Sequence, residues 1–232
     1  MLRYLLPALV ATACHYDLDA VDRPGGDGGG TDGAVPDPCE VDQVPATVHL
    51  HGVVLDAGDA TPVEDVTVDA MPGGNAVSAA NGSFAIDVAL GGVAQPIAIA
   101  FDAPGDAVYP LHRREFQRPF DRADVDIQPR LHSNTTLDSL YGGDPVRDEG
   151  AVTVIIWVFD CEDAGVAGAV VTVTPSPDDI VYFGGGDSTD PTGVAYGLNV
   201  PAGDITVSAT GTEPLTFQAP AGSVVVPQLV AP

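Results

Sequence analysis

From Ala46 onward, apolar residues recur at every second position. Val48, Leu50 and Val54 alternate with His49, His51 and Val53, and Val66, Val68 and Ala70 with Asp65, Thr67 and Asp69. Phe84, Ile86 and Val88 alternate with Ala85 and Asp87, and Val125 and Ile127 with Asp124 and Asp126; Ile97, Ile99 and Phe101 alternate with smaller residues. Period two with polar outward positions predicts half-buried strands of antiparallel sheets. Turn residues punctuate them at Pro72-Gly73-Gly74-Asn75, Asn81-Gly82, Gly91-Gly92 and Pro104-Gly105. Asn81-Gly82 between two apolar runs is a hairpin signal.

A second series starts at Gly150. Ala151 to Phe159 is a continuous apolar strand, followed by 169–174, 194–200, 204–210 and 223–226, with turns at Pro175-Ser176-Pro177, Gly184-Gly185-Gly186, Thr192-Gly193 and Pro201-Ala202-Gly203. No stretch combines helical periodicity with caps, so the chain reads as all-β.

The two series look like copies. Val53-Val54-Leu55-Asp56 aligns with Trp157-Val158-Phe159-Asp160, 63–68 with 166–171, Asn81-Gly82 with Thr192-Gly193, and Gly91-Gly92 with Ala202-Gly203. Two units of about 80 residues suit small β-sandwiches. The order of strand, Asp, short loop, Pro-Val or Gly-Val, Val-x-Val strand, turn, Asn-Gly or Thr-Gly and strand resembles the carboxypeptidase regulatory-like domain, a transthyretin-like β-sandwich. The resemblance is clearest over Asp56 to Val68 with Asn81 to Phe84, and over Gly165 to Val173 with Thr192 to Gly203. Asp65 departs from it, standing where the family has a small residue. It implies two tandem immunoglobulin-like or transthyretin-like antiparallel sandwiches, at 46–130 and 150–232, joined by a connector at 131–149. Its glycines and prolines shape turns, so it carries no catalytic residues, and the fold by itself says little about function.

Ahead of the strands, residues 14–45 are dense in Gly and Asp, with PGGDGGGTDG at Pro24 to Gly33. Such a segment cannot bury enough surface to offset its ordering entropy and reads as a disordered, flexible tether. No Ca²⁺-loop pattern of the D-x-D-x-D-G kind is present in it.

At the start, Arg3 precedes an apolar run from Tyr4 to Val10, then Ala11, Thr12, Ala13 and Cys14. Spanning a bilayer takes roughly 20 apolar residues, so residues 1–13 have the layout of a signal peptide instead. Val10-Ala11-Thr12-Ala13-Cys14 resembles the lipobox of bacterial lipoproteins, in which the Cys is acylated and becomes the mature N-terminus. Ala11 stands where Leu is favoured. The alternative is an ordinary cleaved signal followed by a chance Cys. Lipidation at Cys14 would leave Cys39 and Cys161, and an even remainder in an oxidising compartment points to a disulfide, the alternative being two free thiols.

Charge narrows the partners. The 232 residues hold 8 basic and 33 acidic side chains, a net charge of -25, and every basic residue is Arg. That field repels nucleic acid and anionic headgroups, so the membrane is expected as a partner only through the lipid anchor. The exception is Arg113, Arg114, Arg118, Arg122 and Arg130, interleaved with Tyr109, Phe116 and Phe120. Arg113, Arg114, Arg118 and Arg122 are therefore candidates for docking an acidic envelope protein or glycan. The competing reading pairs them with nearby acids and puts the aromatics in the core.

Catalytic chemistry finds no support. The H-E-x-x-H, G-x-S-x-G, P-loop and Rossmann patterns are absent, and without Lys there is no Schiff-base chemistry. No catalytic residue and no cofactor is assigned. His49 and His51 lie two apart on a strand and share a face, a geometry that can hold two metal ligands with His112 or His132 as a third. The simpler reading leaves both in solvent, and no metal is assigned. The expectation is a non-catalytic lipid-anchored protein of the cell envelope, on the outer membrane, serving binding, adhesion or spacing. The alternatives are a carbohydrate- or peptide-binding accessory protein using 182–192 and the Arg segment, and a metal-binding envelope protein.

Overall fold

The computed structural model describes Cys39, Val41 and residues 43–232 apart from 106, 107 and 144. The segment expected to be a signal peptide, Cys14 and the Gly/Asp run lie outside the described residues.

Among the described residues the fold is all-β with one short helix. The first half contributes β1 (Thr47–Val53), β2 (Leu55–Asp56), β3 (Thr67–Met71), β4 (Asn75–Val77), β5 (Ser83–Ala89), β6 (Ile97–Asp102), β7 (His112–Phe116), β8 (Asp124–Ile127) and β9 (Arg130–Leu131). After α1 (Asn134–Tyr141), the second half contributes β10 (Val152–Phe159), β11 (Val171–Thr174), β12 (Asp179–Tyr182), β13 (Val194–Val200), β14 (Gly203–Ala209), β15 (Leu215–Ala219) and β16 (Val224–Val230).

The internal repeat is real at the level of pairing. β1 is antiparallel to β5 and parallel to β8, and β10 is antiparallel to β13 and parallel to β16. β3 and β6 form an antiparallel ladder that continues to β7, as β11 and β14 do to β15. It extends to single hydrogen bonds. Val54 N donates to Gly82 O at 2.9 Å and Val158 N to Gly193 O at 2.8 Å. A hydroxyl then pins the loop before the next strand. Ser78 Oγ accepts from Val66 N and donates to Val63 O, both at 2.9 Å, while Thr189 Oγ1 accepts from Ala169 N at 2.9 Å and donates to Val166 O at 2.6 Å. One element breaks the symmetry: β4 pairs with β3, whereas β12 pairs not with β11, the counterpart of β3, but with β13.

The predicted alternation places the core. Val48, Leu50, Phe84, Ile86, Val88, Val125 and Ile127 of β5-β1-β8 pack on Val68, Ile97, Ile99 and Phe101. Val171, Val173, Ile205, Val207 and Phe217 of β11-β14-β15 pack on Val152, Val154, Ile156, Val158, Val225 and Leu229. Each half is thus a sandwich with its own core.

The halves are not beads on a connector. β16 pairs in parallel with β7, from Val224 opposite His112 to Gln228 opposite Phe116, and so fuses one layer of each sandwich into an eight-stranded sheet, β12-β13-β10-β16-β7-β6-β3-β4. Val225 faces the second core, whereas its neighbours Val224 and Val226 share the opposite face with His112 and Arg114. That opposite face continues into Ile99 and Phe101 of the first core. The two small sheets therefore cover opposite faces of the shared sheet. The joint also pairs two edges that would otherwise expose unsatisfied backbone groups.

The connector is ordered structure. Ser133 caps α1 by accepting from Thr136 N at 3.2 Å, and Gly142 ends it at φ 60°. Leu137 packs on Ile155, Val194, Val224 and Val226, and the Tyr141 hydroxyl lies 3.0 Å from Thr153 Oγ1. Arg147 reaches back to Asn134 Oδ1 at 2.7 Å and Asp138 Oδ1 at 3.1 Å. Cys39 and Cys161 form a disulfide, which ties the start of the described chain to the turn after β10.

Candidate functional site

The seam between the sandwiches gathers much of the polar chemistry. β7 lies mid-sheet, so its charged residues are enclosed from both faces. Arg114, 8% exposed, donates to Gln128 O at 3.3 Å, and Arg113 pairs with Glu115 and donates to Gln218 O at 3.4 Å. Burial pushes the Glu115 carboxyl up from its ordinary value, and Arg113 beside it pulls the other way. Just past the strand, Gln117 bridges the halves. Its amide donates to Glu213 O at 2.6 Å and its carbonyl accepts from Val230 N at 2.7 Å. Arg118 donates to Cys161 O at 2.9 Å and pairs with Asp121 at 3.4 Å.

Two histidines close the other end of the seam. His112 Nδ1 lies 2.9 Å from Pro110 O, and its Nε2 accepts from His132 N at 2.7 Å. The rings stack at 5.8 Å. Burial, then the neighbouring His132, holds His112 down to about 3, and burial, with Arg114 and Arg130 adding to it, holds His132 down to about 4. Both are neutral at neutral pH, and His132 Nδ1 is enclosed without a hydrogen-bond partner. Nearby, the Tyr109 hydroxyl donates to Asp56 Oδ2 at 2.8 Å; burial and then that carboxylate push Tyr109 up to about 12. His112 and His132 therefore lie away from the outward face of His49 and His51, because β7 carries His112 into the shared sheet, and the alternative reading that would draw on either as a third metal ligand loses them.

Among the four candidate docking arginines, exposure separates one from the rest. The side chains of Arg113 and Arg118 are 22% and 20% exposed and engaged across the seam, whereas Arg122 is 54% exposed with Asp121 at 3.8 Å.

An aromatic strip lies on the outer face of the second half. Trp157 and Phe159 project from β10 on the face opposite Val158 and stack at 5.6 Å and 17°. Trp157, Phe183, Tyr196 and Leu140 are half-buried around the Leu137 and Ile155 cluster. Burial, then Asp190, pushes Tyr196 up to about 12. The Gly184 to Asp190 loop starts beside this strip, since Phe183 N donates to Val194 O at 3.1 Å and Val194 is the register partner of Trp157.

His49 and His51 occupy the exposed face of β1, as the alternation predicts. The acids beside them escaped the sequence reading, because they come from β5 and β8. His49 Nδ1 lies 2.8 Å from Asp87 Oδ1, and His51 Nε2 lies 3.2 Å from Asp124 Oδ1.

No protein-family model matches the chain, and no curated protein matches it. Among solved structures it is similar to the Bacillus anthracis TIE protein at 12% identity, covering 80% of this chain and 34% of that one with a TM-score of 0.28. A streptococcal ancillary pilin gives 12% identity, 81% and 63% coverage and a TM-score of 0.29. The shaft pilin SpaA of Lactobacillus rhamnosus GG gives 10%, 81%, 98% and 0.25. The chain spans about a third of the first and under two thirds of the second. TM-scores this low define neither a shared architecture nor a shared activity. Among the described residues no helix is long and apolar enough to cross a membrane.

Proposed function

We propose that this is a non-catalytic protein of the cell envelope, anchored by lipid at Cys14 and presenting 46–130 and 150–232 as one stiff binding, adhesion or spacer body. The fusion of the two sandwiches through β7 and β16, clamped by the disulfide, carries this reading. A hinge between domains would serve a closing active site; a continuous sheet instead holds two surfaces at a fixed separation. The seam supports the same view, because its histidines and arginines are spent on internal bonds. The lipobox-like segment supports the anchor and an outer-membrane location, and the carboxypeptidase regulatory-like resemblance supports a modular role. Intact mass of protein extracted from membranes, beside a Cys14→Ser control, tests the anchor. An acylated terminus is expected, and a soluble chain cleaved elsewhere would overturn it.

The second reading is an accessory protein that binds carbohydrate or peptide. The half-buried Trp157 and Phe159 stack favours it, since flat aromatic faces suit sugar rings and extended chains. Arg122 is then the arginine available to an acidic group on the same ligand. Trp157→Ala and Arg122→Ala are expected to weaken retention on envelope extracts. Unchanged retention in both, with folding intact, leaves the spacer role alone.

A further inference from the structure

The exposed face of the first small sheet holds an arrangement that neither the seam nor the aromatic strip uses. β1 runs between β5 and β8. Val48 and Leu50 face the core, so His49 and His51 face outward. Register then sets His49 opposite Asp87 on one side and Asp124 on the other, and sets His51 opposite Asp126. In the antiparallel β1–β5 pair directly opposed residues bring their Cβ atoms to within roughly 4.5–5.5 Å, and the parallel β8 lies one strand spacing of about 4.7–4.9 Å away. Two imidazoles and three carboxylates are therefore held in one patch by backbone pairing, whatever their rotamers.

The side chains are already interacting. His49 Nδ1 lies 2.8 Å from Asp87, and His51 lies 3.2 Å from Asp124 through Nε2 and 3.9 Å from Asp126 through Nδ1. The carboxylate on His49 Nδ1 fixes the tautomer that leaves Nε2 as an electron-pair donor, the usual outer-shell arrangement of a metal-binding histidine, whereas the nearer carboxylate of His51 lies on Nε2 and leaves Nδ1 as its donor. The His49 and His51 rings stand 5.6 Å apart. Two imidazoles sharing one tetrahedral zinc ion, with Zn–N of about 2.0–2.1 Å, have centroids about 5 Å apart. Among the described residues no three such groups already close around one point. Asp124 and Asp126, 74% and 60% exposed, have room to rotate inward and complete the set.

We propose that this face binds a divalent transition cation of the zinc type. His49 and His51 supply nitrogen ligands, Asp124 or Asp126 supplies a carboxylate, and Asp87 orients His49. Imidazole donors select such an ion over calcium or magnesium, which prefer all-oxygen shells.

Zinc chloride is titrated calorimetrically into the full mature chain, without a histidine tag and with its disulfide intact. His49→Gln, His51→Gln, the double variant and Asp124→Asn/Asp126→Asn are compared with Asp204→Asn, an exposed aspartate of the second sandwich. One equivalent is expected at micromolar affinity, weakened at least tenfold in every variant of the patch and unchanged in Asp204→Asn. Zinc is also expected to move the side-chain NMR signals of His49 and His51 in the unmutated protein, a readout independent of any variant's folding. Equal binding by the double histidine variant would overturn the proposal by exposing diffuse uptake on an acidic surface, as would no binding up to millimolar zinc.

Discussion

Arg118 donates to the carbonyl of Cys161 at 2.9 Å, so the first sandwich grips the same turn that the disulfide holds. The guanidinium also sits near Asp163, whose carboxyl burial pushes up while Arg118 pulls it down. Covalent and polar ties thus converge on one turn, beside the end of β16, where Ala231 N donates to Phe159 O at 2.8 Å.

Reducing that disulfide, or replacing both cysteines with Ser, is expected to lower stability. The bridge spans 122 positions. Closing so long a loop in the unfolded chain is worth roughly 3–5 kcal/mol. Urea unfolding of oxidised and reduced protein measures the difference, and no change in midpoint would contradict it.

Coupling between the halves should depend on the residues that cross the seam. Gln117→Ala together with Arg118→Ala removes the bonds to Glu213, Val230 and Cys161 without touching either core. In a background lacking the disulfide, one cooperative calorimetric transition is expected to split into two. A single transition would mean that the β7–β16 ladder alone suffices.

Stability should fall on acidification. An unfolded imidazole takes up its proton near about 6.5. Folded, His112 does so only near about 3 and His132 near about 4. Between those limits the unfolded chain binds more protons, so stability rises with pH. The contribution is complete above about pH 6.5 and is lost as pH drops toward 3. Glu115 and Asp163, raised by burial, work in the opposite sense at the acidic end. His112→Gln keeps a donor and an acceptor at the site, and its urea midpoints between pH 3.5 and 8 should vary less with pH than those of the parent.

Gly193→Ala is expected to be severe, and worse than Gly82→Ala. Both glycines have positive φ, at 72° and 74°. A Cβ on Gly193 would stand 2.1 Å from Val158 O, against 2.6 Å from Val54 O for Gly82. Since each carbonyl belongs to a fully buried core residue, Val158 within β10 and Val54 between β1 and β2, it cannot retreat, and roughly 2–4 kcal/mol or more is at stake. Thermal midpoints of the two variants rank them.

The alternating strands, the repeated glycine turns and the cysteine pair were legible in the sequence because each leaves a local mark. β7 was not. His112 to Phe116 reads as a charged loop, and it is a strand covered on both sides, which hides alternation behind burial of Arg114 and Glu115. α1 has two turns and two buried residues, too few to show a period. The junction of β7 with β16 leaves no local trace, since it depends on which edges of two finished sandwiches meet. The histidine face was half legible: β1 displayed His49 and His51, but its acids required the register of β5 and β8.

The disulfide also determines how the molecule would carry load. A pull on the chain ahead of Cys39 passes through the sulfur bridge to Cys161, and the first sandwich lies within the bypassed loop. Under tension that sandwich is a passenger: it can neither lengthen the protein nor unravel in sequence. Among the described residues, extension must come from the segment beyond Cys161, which makes β11–β16 the fuse.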